Sequence, residues 1–296
     1  MKPTLTIFTP TYNRAYCLHK CYESMLRQSN KDFVWLIIDD GSTDNTKDLI
    51  EGWQNNNNGF EIKYTYKKNG GLHTGYNKAI EVAETELMMC IDSDDYLAEN
   101  AIEKIISFWS VYGSNEYAGI IGLDVFENNC KVAELPLNQK KVNSIDLLTG
   151  KYKIKNGDRK LVIRTDLYKE VSPMPSFDNE KNFNPHYMHL QIAMRYDVLV
   201  LNEPLCVVDY QPNGMTNNIF NQYLNSPKSF AQTRRLYMTF NNTSKWFLFK
   251  QCVHYVSSCK IAGERNIIRN SPKPFFTMIA YPFGNFLKLY IVNKVK

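Results

Sequence analysis

Along the first third of the chain, short apolar runs alternate with stretches whose apolar residues recur every three or four positions. Leu5–Phe8 is an apolar run, Leu18–Gln28 has helical spacing, and Phe33–Ile38 is a continuous β-rich run of the kind a fully buried strand shows. This is a βαβ opening, and it repeats. Asp44 stands as an N-cap before a helical Lys47–Asn55, the polar Asn55–Gly59 marks a turn, and Glu61–Tyr66 alternates like a strand. Thr74–Ala83 is then helical before the apolar run Leu87–Ile91. Strands alternating with helices predict an α/β fold on a mostly parallel central sheet flanked by helices, with a ligand crevice beyond the carboxyl ends of the strands. Further on, the same signals predict a helix from Asn100 to about Ser110, strands at Ala118–Asp124, Leu161–Arg164 and Val198–Leu201, and a helix at His186–Arg195. Glu127–Gly157 has no assignable pairing. From about Ser229 the pattern turns helical and aromatic, which puts a soft boundary near Asn217 and predicts a helical C-terminal extension.

Composition adds little until it is located. The 296 residues, 44% of them hydrophobic, suffice for one enlarged domain and an appendage. Seven cysteines without a CxxC pair suggest neither a disulfide framework nor a zinc knuckle, and point to a reducing, cytoplasmic setting. The N-terminus does not read as a secretory leader. The net charge of +5 gathers in the tail, where residues 260–296 hold seven Lys or Arg against one acid, Glu264. Because the tail also carries Phe275, Phe276, Met278, Ile279, Phe283 and Phe286, it suits an anionic membrane surface better than nucleic acid. A terminal helix packed on the domain is the alternative. The uncharged Pro274–Leu287, broken by Pro282 and Gly284, is too short to span a bilayer, so the expectation is a helix lying on the cytoplasmic face.

Two acidic clusters carry the chemistry. Phe33–Ile38 runs into Asp39-Asp40-Gly41-Ser42-Thr43-Asp44, two carboxylates at the mouth of a parallel sheet, with Gly41 permitting a tight turn. A carboxylate there can accept from a base N–H or a ribose hydroxyl; a plain strand-to-helix turn is the alternative. The second cluster, Asp92-Ser93-Asp94-Asp95, follows Leu87–Ile91 directly. Carboxylates so close repel one another unless a cation or donors neutralise them. If the segment is extended, Asp92 and Asp94 project to one side, where hard oxygen ligands suit Mg²⁺ or Mn²⁺ bridging two phosphates. A helix N-cap cluster is the competing reading.

In order and spacing, Thr9-Pro10-Thr11-Tyr12-Asn13-Arg14, Asp39–Asp44 and Asp92-Ser93-Asp94 resemble the inverting glycosyltransferases of family 2, over roughly residues 4–215. The resemblance implies a GT-A fold in residues 1–216, with a nucleotide-binding half (1–98) and an acceptor-binding half (99–216), and leaves 217–296 as the helical region. It implies that Thr9, Pro10 and Arg14 line a nucleotide pocket, that Asp40 meets the base with help from Asp39, and that Asp92, Ser93 and Asp94 serve ribose and metal, with Asp94 and Asp92 as metal ligands. It also implies a UDP-sugar donor, while the basic, aromatic tail suggests a glycan or lipid-linked oligosaccharide acceptor presented at the membrane in surface polysaccharide synthesis. Asn69–Ala79 is similar to the family's glycine-rich approach to the donor, which singles out Gly71, His73 and Asn77.

An inverting transfer needs a general base near the acceptor hydroxyl, and the family places a carboxylate at the start of a helix in the second half. Here His186 stands at that place, with Glu180 and Asp178 as upstream rivals. An imidazole with an unperturbed pKa of about 6.5 can do the work. Asp209–Thr216 resembles a loop that closes over donor phosphates, with a surface turn as the alternative. A sugar nucleotidyltransferase also uses paired acids, but no glycine- and lysine-rich phosphate loop is found near the N-terminus; a non-catalytic scaffold is favoured only by the missing carboxylate at His186. Homo-oligomerisation is left open.

Overall fold

The computed structural model describes residues 3–209 and 218–295. The chain opens with β1 (Leu5–Thr11), α1 (Leu18–Leu26), β2 (Phe33–Asp39), α2 (Thr46–Gln54), β3 (Glu61–Tyr66), α3 (Leu72–Val82) and β4 (Leu87–Cys90). There follow β5 (Tyr96–Leu97), α4 (Ala101–Tyr112), β6 (Tyr117–Val125), β7 (Lys141–Val142), α5 (Ser144–Thr149), β8 (Arg159–Arg164), α6 (Thr165–Val171), α7 (His186–Ala193) and β9 (Asp197–Val207). Four helices close the chain: α8 (Ile219–Asn225), α9 (Pro227–Tyr237), α10 (Lys245–Ile261) and α11 (Pro274–Val295).

The strands form one sheet in the order β3-β2-β1-β4-β8-β6-β9-β5, with β7 beside β9. β3, β2, β1 and β4 are parallel neighbours, as their helical crossovers require. From β4 onward the sheet is mixed: β8 lies antiparallel to β4 and β6, β9 is parallel to β6, and β5 and β7 are antiparallel to β9. β1 and β2 are buried throughout because helices cover both faces, and their sequences accordingly run apolar without alternation. The core under the first helices is aromatic: Tyr22 stacks on Trp53 at 4.3 Å, and Trp35 lies 5.8 Å from Trp53. The unassigned middle contributes only β7, α5 and a bridge between Val125 and Lys131, each too short to leave a period in the sequence. All seven cysteines are free.

The described residues form two compact units. The first holds the residues through Gly70, Thr74–Pro173 and the chain from Met188 to the end of β9; the second holds Gly71–His73, Met174–Tyr187 and helices α8–α11. Within the second unit α10 and α11 pack closely. A Cβ on Gly284 would sit 2.5 Å from Cβ of Val256, so only glycine allows this approach. Ala280, Tyr255, Val256, Cys252 and Met238 fill the space between the helices. The boundary expected near Asn217 lies outside the described residues.

Candidate functional site

The carboxyl ends of β1, β2 and β3 lie level, with Thr11 opposite Asp39 and Asp39 opposite Tyr66. Their loops are locked together. Asn13, at φ 52°, donates its N–H to the Ser42 hydroxyl oxygen (2.9 Å) and accepts from the Thr43 N–H at its side-chain oxygen (2.8 Å). Gly41 has φ +88°, and a Cβ there would lie 2.8 Å from the Asn69 nitrogen, so a glycine is needed both for the turn and for the close approach. Asp44, expected as a cap, accepts from the Thr46 N–H at 3.1 Å as α2 begins.

The two aspartates of this turn are buried and bonded. Asp39 accepts from the Ser42 N–H and the Tyr64 hydroxyl, both at 2.7 Å. Asp40 Oδ1 pairs with the Lys67 ammonium and accepts from the Gly70 N–H at 2.9 Å. Lys67 also donates to Thr74 Oγ1 at 2.7 Å, so it ties β3, β2 and α3 into one rigid rim. Lys67 went unremarked in the sequence; its signal is a lysine at the step from an alternating strand into a glycine pair.

Thr9 and Pro10, expected to line the pocket, both lie within β1. Thr9 is wholly buried and its hydroxyl accepts from the Trp35 indole at 2.9 Å, because it sits inside the central strand rather than beyond its end. Pro10 is buried too, 3.5 Å from where a Cβ on Gly75 would stand. In and just after the motif the exposed positions are Tyr12 and Tyr16, with Arg14 half-buried between them. Arg14 Nη1 donates to the Tyr16 hydroxyl at 2.6 Å and lies 3.6 Å from Asp94 Oδ2.

That contact joins the first loop to the second acidic cluster. β4 ends after four residues, and Ile91 makes the last ladder bond, to the Phe8 carbonyl at 3.0 Å. Charged Asp92 cannot continue between buried strands, so the chain turns, and Asp95 N–H donates to the Asp92 carbonyl at 3.0 Å. The expected extended segment is therefore a β-turn. It still leaves Asp92 exposed and Asp94 half-buried while Ser93 and Asp95 point inward. Burial, and then the charge of Asp92, push the Asp94 carboxyl above its ordinary range, with Arg14 opposing.

Beneath the turn lies a buried ionic group. Lys160 of β8 stands 3.6 Å from Asp124 of β6, with both side chains nearly enclosed. Burial alone would push the lysine down, but the charges of Asp124, Asp95 and Asp92 outweigh it and hold Lys160 charged. Burial raises Asp95 to about 8 and Asp124 to about 6, each against the pull of Lys160. Asp95 also accepts from the Asp209 N–H at 3.1 Å, and Asp209 pairs with Lys20 at 2.6 Å. The rest of the expected phosphate loop, 210–216, lies outside the described residues. Lys160 and Asp124 were not found from sequence because a single charge inside a strand pattern carries no spacing signal.

Asp92 and Asp94 offer hard carboxylate oxygens, and among the described residues no group of three or more His, Cys, Asp or Glu is arranged to hold a metal ion by itself. Two carboxylates fit a Mg²⁺ or Mn²⁺ that takes its remaining ligands from substrate phosphates and water.

The other expected residues divide between the units. Asn77 is half-buried on α3 in the first unit. In the second, Gly71 has φ +95° and a Cβ there would fall 1.9 Å from the Lys181 carbonyl oxygen, so its place is a packing contact. His73 is buried, edge-on to Phe183 at 6.2 Å. His186 opens α7 half-buried, its N–H donating to Asn184 Oδ1 at 2.9 Å, and Asp178 is exposed. Glu180 is buried, and its carboxylate accepts from the N–H groups of Lys228 and Ser229 (both 2.8 Å) and the Ser229 hydroxyl (2.7 Å). These are the orphan donors of the first turn of α9, so Glu180 caps that helix.

Comparison with known proteins agrees with this architecture. The chain is 37% identical over 101 residues to the chondroitin synthase of Pasteurella multocida, which covers 34% of this chain and only 10% of that protein. It is 26% identical over 224 residues to the glycosyltransferase GlyG of Streptococcus pneumoniae, covering 69% of this chain and 70% of that one. The crystal structure of residues 1–349 of S. aureus TarS, solved in complex with UDP-GlcNAc, superposes with a TM-score of 0.59 at 16% identity, covering 98% of this chain and 81% of that one. This likeness shows the GT-A-like fold. The family described as Glycosyl transferase family 2 matches residues 6–167, more than half the chain and the whole stretch that builds both acidic turns, and the chain belongs to that family.

Proposed function

We propose that the protein is a metal-dependent inverting glycosyltransferase that moves a sugar from a nucleotide sugar, UDP-linked by preference, onto a glycan or lipid-linked oligosaccharide in surface polysaccharide synthesis. The observation that carries this reading is the Asp92–Asp95 turn at the end of β4, with Asp92 and Asp94 turned outward and Arg14 against Asp94. Asp92 and Asp94 are the residues to hold a divalent cation, which when bound offsets the negative charge of the leaving diphosphate. Arg14 adds a fixed positive charge at the same place, and the locked Asp39–Asp44 turn offers a rigid edge for base and ribose. Asp40 is the residue for the base, with Asp39 holding its turn.

The acceptor hydroxyl must lose a proton as it attacks the anomeric carbon while the bond to the diphosphate breaks. Among the three candidates we assign this to an imidazole nitrogen of His186. Glu180 is committed to its cap, and Asp178 is exposed on the approach to α7 rather than on the helix itself. The acceptor is proposed to be presented at the cytoplasmic face of a membrane, to which the basic, aromatic C-terminal helix holds the enzyme.

Turnover tests this. Incubated with Mn²⁺ and a panel of UDP-sugars, the wild type is expected to release UDP from one of them, and His186→Ala to lose that release while still binding UDP. A panel of UDP-, GDP- and dTDP-sugars left intact by the wild type, with and without a candidate acceptor, would overturn the reading.

A further inference from the structure

One face of α11 looks outward from the second unit. Phe275, Met278, Ile279, Phe283, Phe286 and Leu289 are all exposed, Phe286 at 72% and Phe275 at 66%. At 100° per residue they fall on one arc of about 140°. The opposite stripe, Thr277, Ala280, Gly284 and Ile291, is the one buried against the unit. The apolar surface does not stop at α11. Phe283 meets Phe249 of α10 at 5.5 Å, Phe249 stacks on Trp246 at 5.8 Å, and Trp246 is itself 62% exposed.

Cations border this surface. Lys250 lies 5.1 Å over the Trp246 ring and Lys294 lies 5.8 Å over the Tyr290 ring, while Lys245 and Lys273 are exposed at the starts of α10 and α11. The wider imbalance is steep. From residue 218 onward there are twelve Lys and Arg and one acid, Glu264, which Arg235 already pairs at 3.5 Å; the preceding residues hold the other 23 bases and 29 acids.

We propose that this arc, continued by Trp246, docks the second unit onto an anionic lipid surface with α11 lying in the plane of the interface. The inference rests on the membrane reading above and deepens it by naming the face of α11 that enters the surface and the part of α10 that continues it. An apolar arc that is also ringed by ammonium groups matches the boundary between headgroups and acyl chains: the rings enter the apolar layer, and the lysines reach back to the phosphates. Aromatic rings beneath ammonium groups are suited to that boundary. A second copy of the chain would bring twelve more cations against these, which charge repulsion opposes. By length and composition alone α11 could cross a bilayer. It does not cross in this arrangement, because one side is fitted against α10 through Gly284, and α10 carries the buried polar groups Gln251, Ser257 and Ser258.

The test is co-sedimentation of the full chain with phosphatidylcholine vesicles, with and without about one third phosphatidylglycerol. Wild type is expected to sediment with the anionic vesicles and not the neutral ones, and to be released several-fold by raised salt. Phe275→Glu with Phe286→Glu, both at exposed positions, is expected to weaken binding at least ten-fold while the circular dichroism spectrum and UDP affinity stay unchanged. Wild type that ignores anionic vesicles overturns the proposal. So does wild type that self-associates in sedimentation velocity without binding vesicles, with the double variant monomeric, since the face is then covered by a second copy. Wild type that turns over a UDP-sugar but ignores anionic vesicles sinks this inference alone, whereas wild type that binds vesicles but leaves every nucleotide sugar intact sinks the transferase reading alone.

Discussion

Glu180 is where two accounts of one residue make opposite predictions. As a general base it would be free to take a proton. Its carboxylate instead accepts three hydrogen bonds, two of them from the N–H groups of Lys228 and Ser229 just after Pro227 opens α9. Ser226, at the cap position itself, makes no side-chain cap bond, so Glu180 supplies that function from a distant part of the chain. An N-cap contributes about 1 kcal/mol, a hydrogen bond to a charged group about 1.5–3 kcal/mol, and a buried helix terminus adds its dipole to the attraction. These terms overlap, so Glu180→Ala should cost roughly 2–4 kcal/mol, and Glu180→Gln, which turns one acceptor into a donor, roughly 1–3 kcal/mol. For a chain of this size that is a fall in melting temperature of roughly 3–7 °C for the alanine variant. Thermal melts followed by circular dichroism read the stability, and UDP release below the melting transition reads the activity. The cap predicts destabilised variants with substantial turnover at low temperature. Wild-type melting with abolished turnover would refute the reasoning and return Glu180 to the list of bases.

Two further predictions concern buried charges. Lys160→Met leaves Asp124 and Asp95 enclosed without their cation and should cost about 3–5 kcal/mol in urea denaturation, much of it recovered in Lys160→Met with Asp124→Leu; an unchanged midpoint in the single variant would contradict a charged Lys160. His254 is held down at about 4 by burial first, then by Arg234 and Lys250, and its Nδ1 has no hydrogen-bond partner among the described residues. Its folded pKa is below its unfolded value of about 6.5, so the unfolded chain binds the extra proton. Stability from this group is present above about pH 6.5 and lost as pH falls toward 4. The melting temperature should therefore decline across that window, and His254→Phe should flatten the decline.

The parallel part of the sheet was legible because β1, β2 and β4 must be apolar on both faces and their crossover helices must be amphipathic, and both demands leave a period. Where the demands relax, the signal goes. β5 and β7 are two residues each, and the antiparallel entry of β8 next to β4 has no local signature, since Leu161–Arg164 reads the same whichever neighbour it finds. At the site, the outward Asp92 and Asp94 could be anticipated from alternation even though a turn produces the arrangement. Thr9 could not be judged, because a threonine in a central strand looks the same whether its hydroxyl meets a ligand or, as here, the Trp35 indole. Glu180 shows the same limit at longer range: its partners are 48 and 49 residues away, beyond any sequence pattern.

The central claim is a nucleotide site built on the Asp92–Asp95 turn, and calorimetric titration with UDP tests it most directly. The account predicts UDP binding that strengthens with Mn²⁺, with the metal-dependent part lost in Asp94→Ala and in Asp92→Ala while the fold is retained. If UDP and the other nucleoside diphosphates fail to bind with or without metal, or bind the variants as tightly as the wild type, the turn is not the donor site.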